Sequence, residues 1–200
     1  MKVILKHARL SFTRYLWNPS TDEKSGNKRY NCHLIVTPGS SDHKTLIAAV
    51  IKAAEEGWPG EGAKKLAAIK EQGNVCLKNG SIKSDYEGYE GNFFVSVSSK
   101  QKPDLRGKDK EKVTEEDGKM YAGCYVWAEL EVKAIKHEKG NFISAYLRGM
   151  MVIQDSISLE LTNKLKDEDL PDIADIGDEI GIGSAGKTSV DNDMEALLNG

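Results

Sequence analysis

No stretch of this 200-residue chain approaches the roughly 20 consecutive apolar residues that cross a bilayer as a helix. Met1-Lys2-Val3-Ile4-Leu5 also lacks the apolar centre of a secretory leader, so no membrane role is expected. Cysteine is scarce. Cys32, Cys76 and Cys124 are isolated and odd in number, which argues against a disulfide framework and for buried thiols in a reducing cytosol. The four histidines, His7, His33, His43 and His137, show no metal-ligand spacing among themselves or with the cysteines, so neither a metal nor a cofactor is expected. Catalytic sets are missing too: there is no helical His-Glu-x-x-His, no serine in a nucleophile elbow and no acidic cluster before the C-terminal segment. These absences predict a protein that is not an enzyme.

What the chain has is a sharp separation of charge. From Asp167 to Gly200 there are ten acidic residues and one base, Lys187, a net −9; against −3 for the whole chain, the part before Asp167 carries +6. A basic body with an acidic tail suits a protein that holds a polyanion and is kept from holding it indiscriminately. The same tail also fits a solvated terminus that aids solubility. The tail carboxylates match no calcium loop.

Within that tail, Gly181-Ile182-Gly183-Ser184-Ala185-Gly186-Lys187-Thr188 matches the phosphate-loop pattern G-x-x-x-x-G-K-[ST]. A working loop of that kind needs a buried strand before it and a helix after it. Here an acidic, glycine-broken stretch precedes it, and the residues after Thr188 are too few for a helix, a sheet and a downstream magnesium-binding Asp. A flexible Gly/Ser linker is the reading that fits.

Ahead of the tail, periodicity predicts a mainly β body with inserted helices, a barrel or a sandwich. Strands are expected over Lys2 to Phe12, Arg29 to Thr37 and Asn92 to Ser99, with a polar loop opening at Tyr15. A helix capped by Ser40, Ser41 or Asp42 is expected to bury Leu46, Ile47, Val50, Ile51 and Ala54. A second short helix is expected over Ala63 to Glu71, and a charged loop from Lys100 to Lys119 reads as too polar for the core. The strongest signal is a long hairpin around His137-Glu138-Lys139-Gly140. Its inner face is expected to hold Cys124, Val126, Ala128, Leu130, Val132 and Ala134, and then Ile143, Ala145, Leu147, Met151 and Ile153. The organisation expected is a domain over 1–160, with helices at about 41–72 and the charged loop at about 100–119, then a flexible acidic tail over 161–200.

Binding a single strand of nucleic acid takes aromatic faces for the bases and a positive groove for the phosphates. The hairpin's outer face offers Tyr125, Trp127, Tyr146 and Arg148, and the charged loop offers Lys100, Lys102, Arg106, Lys108, Lys110 and Lys112. Near the first loop, Arg14, Lys24, Lys28 and Arg29 flank Tyr15 and Trp17. Each of these rings could equally pack beneath a helix or a second layer, and the lysines could be ordinary solvated surface. Glu129 and Glu131 share a face with Trp127 and count against an unbroken platform, although Arg148 could neutralise one of them.

Ala8-Arg9-Leu10-Ser11-Phe12, then Asp85-Tyr86-Glu87-Gly88-Tyr89-Glu90-Gly91-Asn92-Phe93, Ser98-Ser99-Lys100-Gln101-Lys102-Pro103 and Tyr121-Ala122-Gly123-Cys124-Tyr125-Val126-Trp127-Ala128 with its hairpin come in an informative order. In that order the chain resembles the phage-encoded single-stranded-DNA-binding proteins of tailed bacteriophages. The resemblance spans most of Lys2 to Asp155. It implies an OB-like five-stranded barrel, sequence-independent binding of single-stranded DNA during replication or recombination in the host-cell cytoplasm, and an acidic tail used in regulation and protein contacts. Phage replication or recombination proteins are therefore candidate partners. Two other readings remain open on sequence: a nucleotide hydrolase using the loop at Gly181, and a phage structural or assembly protein whose tail meets a basic partner.

Overall fold

Alternating apolar and polar residues make the first strand, β1 (Lys2–Ser11), and the alternation breaks once. Val3 and Leu5 point inward, Lys6 and His7 both face solvent, and Ala8 and Leu10 point inward again. The pairing register slips at the same place, the mark of a β-bulge. The computed structural model describes residues 1–21, 26–138 and 140–159. The tail from Asp167, the glycine-rich loop at Gly181 and Lys24 lie outside those residues.

The chain is mainly β with a few helices. After β1 come α1 (Arg14–Trp17), β2 (Ser20–Thr21), β3 (Lys28–Val36), α2 (Ser41–Gly57), α3 (Gly62–Glu71) and β4 (Leu77–Asn79). They are followed by β5 (Phe93–Ser99), β6 (Asp104–Arg106), β7 (Tyr125–His137) and β8 (Gly140–Gln154). β1 pairs with β3, β3 with β5, β7 with β8 and β7 with β1, all antiparallel, while β5 runs parallel to β8. These pairings return to their starting strand, so five strands form a ring. Leu5, Leu10, Leu34, Val95, Leu130 and Leu147 are at most 2% exposed inside it. Among the described residues no helix is long and apolar enough to cross a membrane.

The bulge in β1 leaves amides without a strand partner, and Asp42 accepts them. Its carboxylate takes hydrogen bonds from the Lys6 amide at 2.9 Å and the His7 amide at 2.8 Å, although Asp42 is only 5% exposed. It stands in the first turn of α2, where the helix dipole also favours an anion. Ser40 caps that helix by accepting from the His43 amide at 3.2 Å. A buried carboxylate thus ties α2 to the ring.

Several expectations are corrected. The buried face of α2 runs through Leu46, Ala49, Val50, Ala53 and Ala54, whereas Ile47 and Ile51 are 40% and 44% exposed. The helix packs through its small residues, which lets its backbone approach the sheet more closely than an isoleucine seam would. The charged loop does contribute to the core: β6 pairs parallel with β8, and Leu105 and Val113 are buried. In β8 the inner face switches phase, because Leu147 pairs with Leu130 while Gly149 pairs with Glu129. Arg148 is the extra residue of that bulge. Beyond it Met150 and Val152 point inward, and Met151 and Ile153, expected in the core, turn outward. β1 stops at Ser11, one residue short of expectation, because Phe12 turns to φ 54, and the expected loop at Tyr15 begins as the short helix α1.

The bulge also admits β6. A Cβ on Gly149 would come within 2.8 Å of the Asp104 carbonyl oxygen, a backbone atom that cannot swing aside. Gly149→Ala is expected to destabilise the protein by about 1–3 kcal/mol. The loss should show as a lower denaturant midpoint at unchanged m-value.

Candidate nucleic-acid interface

Two strands alternate small polar residues on their outer faces, and where they meet the ring carries its first groove. Asn31 and His33 of β3, Ser96 and Ser98 of β5, and Phe142 and Ser144 of β8 line a depression of about 400 Å³, with Arg29 and Lys78 at its margin. Its floor includes Cys32 and Cys76. Burial pushes the Cys76 thiol up to about 12 and raises that of Cys32 as well, so both stay protonated and unreactive. Sequence reasoning found Arg29 here and missed the rest. The available signal is the outward alternation of Ser96 and Ser98 in β5.

The parallel pairing of Ser98 with Tyr146 carries this surface onto the middle of β8. A second depression there is lined by Lys100, Lys102, Lys133, Tyr146 and Arg148. A third, sharing Arg148, is lined by Arg106, Lys110, Trp127 and Met151. The structure thus brings Tyr146, Arg148, Lys100 and Lys102 together, and brings Trp127 and Arg106 to the other side of Arg148. Trp127 pairs with Met151 across the strands, both on the outer face and half-buried.

The two carboxylates on this face are compensated. Glu131 is bound by Lys133 at 2.8 Å and by Arg148 at 2.5 Å, and these contacts hold its carboxyl below the usual range, Lys133 contributing most. Glu129 pairs with Lys2 at 2.8 Å. Other expected cations are engaged as well: Arg106 with Asp104 at 2.9 Å, and Lys108 with Asp155. Lys28, Arg29, Lys100 and Lys102 carry no ion pair among the described residues.

The remaining expected aromatics stand apart. Tyr125 gives one ring face to His7, stacked at 4.2 Å and 17°. Trp17 packs against the main core beside the fully buried Leu16. Tyr15 is 40% exposed, with the Arg14 guanidinium 5.6 Å from its ring centre. No group of His, Cys, Asp or Glu able to hold a metal occurs among the described residues.

The family model of the Enterobacter phage Enc34 ssDNA-binding protein matches residues 1–177. Protein p50 of Acyrthosiphon pisum secondary endosymbiont phage 1 is 30% identical over 158 residues, covering 78% of this chain and 84% of that one. The chain belongs to the Enc34 ssDNA-binding protein family. The fold is similar to that of the single-stranded DNA-binding protein from bacteriophage Enc34 in complex with ssDNA. That match has a TM-score of 0.67 at 19% identity and covers 80% of this chain and 89% of that one. It is also similar to a single-stranded DNA binding protein encoded by bacteriophage T7, at TM-score 0.50 and 10% identity over 83% and 97% of the two chains.

One member of the first groove carries a pH signature. His33 meets the Tyr89 hydroxyl at 2.8 Å, and Tyr89 bonds Ser11 at 3.1 Å. Burial first, then Lys83 and Lys78, lower the His33 pKa from 6.5 to about 4. Between those values the unfolded chain takes up a proton that the folded chain refuses. Stability present above about pH 6.5 is therefore lost as pH falls toward 4, by on the order of 2–3 kcal/mol. Thermal unfolding measured across that window should show the loss, and His33→Gln should flatten it.

Proposed function

We propose that this member of the Enc34 family binds single-stranded DNA without regard to sequence, through the outer surface that runs over β3, β5, β8 and β7. The observation that carries this reading is the continuity of three depressions across the parallel β5–β8 pair, with Lys100, Lys102 and Arg29 along them and Tyr146, Trp127 and Phe142 presenting rings. Cations follow phosphates, and half-buried rings offer faces to bases of any identity. The closed order β1–β3–β5–β8–β7, with one parallel pair, is read as an OB-like barrel; such barrels bind strands on the face of their second and third strands, here β3 and β5. The protein acts without catalysis, coating strands exposed during replication or recombination in the infected host's cytoplasm.

Residues 1–160 are read as the binding domain and 161–200 as a flexible acidic tail that competes with DNA and offers a contact to phage replication or recombination proteins. The part from Asp167 onward, carrying −9 and tethered to the +6 that precedes it, reaches an effective concentration on the order of millimolar, so its carboxylates contest the sites phosphates would take.

Affinity for an oligonucleotide should fall linearly on a log–log plot against salt, by about 0.7 per phosphate neutralised. Trp127→Ala should weaken binding by about 1–3 kcal/mol. Titrations at several salt concentrations check both, and a flat salt dependence would refute the electrostatic part.

Deleting everything from Asp167 onward should strengthen binding, most at low salt, because a Debye length of about 8 Å at physiological strength screens the competition. Dissociation constants of full-length and shortened chains at two salt concentrations read this directly. Unchanged affinity at both would remove the tail from regulation.

A further inference from the structure

The first groove does not end at His33. Beyond it Phe12 adopts φ 54, a left-handed backbone conformation that is rare for an aromatic residue and persists only where the surroundings impose it. The outcome is a ring turned to the outside of the sheet, edge-on to His33 at 4.9 Å and to Tyr86 at 5.0 Å. Tyr89, Phe94 and Ile35 form the buried part of this cluster. Tyr86 stands apart from them, since it is 44% exposed. The Lys83 ammonium lies 4.7 Å from the Phe12 ring centre and 5.1 Å from that of Tyr86. His33 edges the aromatic cluster and also lines the groove, and Lys78 and Lys83 both act on its charge. The shelf and the groove are therefore one surface.

Packing does not explain Tyr86, because its ring closes no core. A half-exposed ring with an ammonium beside it, at the end of a groove bordered by cations, has the makeup of a nucleobase site. Asp85 and Glu87, the exposed chain neighbours of Tyr86, disfavour a phosphate chain continuing past it. We propose that Tyr86, backed by Phe12, is a terminal nucleobase subsite of the strand groove, stacking one base on its exposed face while Lys83 takes that nucleotide's phosphate. This rests on the DNA-binding reading above and extends it to residues outside the β7–β8 hairpin.

The test uses the full chain and oligothymidylates of about 4 and about 16 nucleotides, lengths that bracket the usual span of such sites. Tyr86→Ala should weaken the longer strand about tenfold or more and leave the shorter one, seated among the groove cations, nearly unchanged. Tyr86→Phe should retain affinity at both lengths. Lys83→Gln should lower the salt slope for the longer strand by about 0.7, a readout that a purely structural role of the lysine would not move. Undiminished binding of the longer strand by Tyr86→Ala would overturn the subsite, as would an equal loss at both lengths accompanied by a lower Tm. If the unmodified protein bound neither strand, the DNA-binding reading would fail as a whole, and the subsite with it.

Discussion

A ring of five strands has to curl tightly while keeping one face apolar, and the bulges that allow this decide what the other face displays. In β1 the bulge at Lys6 and His7 turns both side chains outward and frees the amides that Asp42 captures. In β8 the bulge at Arg148 exchanges the odd-numbered inner face for the even-numbered one. A slip of one residue without such a bulge would have buried the polar set along the rest of the strand. With it, the core stays closed through Met150 and Val152, and Met151 joins Trp127 outside.

The second bulge has consequences beyond packing. Gly149 admits the Asp104 backbone, so β6 lies against β8 and carries the approach segment with Lys100 and Lys102 along the strand edge. Arg148, turned outward, reaches Glu131 and relieves the strongest local objection to an anionic ligand on this face. The cationic margin of the second depression is thus set by a backbone irregularity as much as by the lysines themselves.

The parts of this arrangement that were legible in the sequence are those governed by local period. The hairpin about His137, the inner positions of β7 and the cap at Ser40 follow from alternation and capping chemistry. The phase switch in β8 was not legible, because the one unpaired residue is selected by its partners on two other strands. The buried face of α2 was misjudged for a related reason: Ala49 and Ala53 give a weaker signal than Ile47 and Ile51 but fit a close approach to β1 and β7. The charged loop hid Leu105 and Val113 among lysines, since a three-residue strand leaves no period to read. Among the site residues, Tyr146 and Arg148 are placed on the hairpin by alternation, whereas their sharing a depression with Lys100 and Lys102 of the charged loop follows from long-range folding. Lys83 and Tyr86 share one turn, but Phe12 reaches them only through long-range folding, which no spacing reveals.

The same contacts bear on why a strand held here would be bound without regard to sequence. Reading a base edge takes a fixed, unoccupied, two-pronged donor or acceptor, most often an arginine fork. Here most forks near the surface are already committed. Arg148 is bound to Glu131, Arg106 to Asp104 and the Lys110 carbonyl, and Arg9 to the carbonyls of Gly123 and Ile157. The groove offers instead the hydroxyls of Ser96, Ser98 and Ser144, which rotate and can both donate and accept. Lysines add point charges, and rings add faces that stack on any base. A surface on which Arg9, Arg106 and Arg148 are spent internally, leaving Arg29 and Asn31 among rotors, point charges and rings, can hold a polynucleotide firmly and has few groups with which to distinguish one base from another.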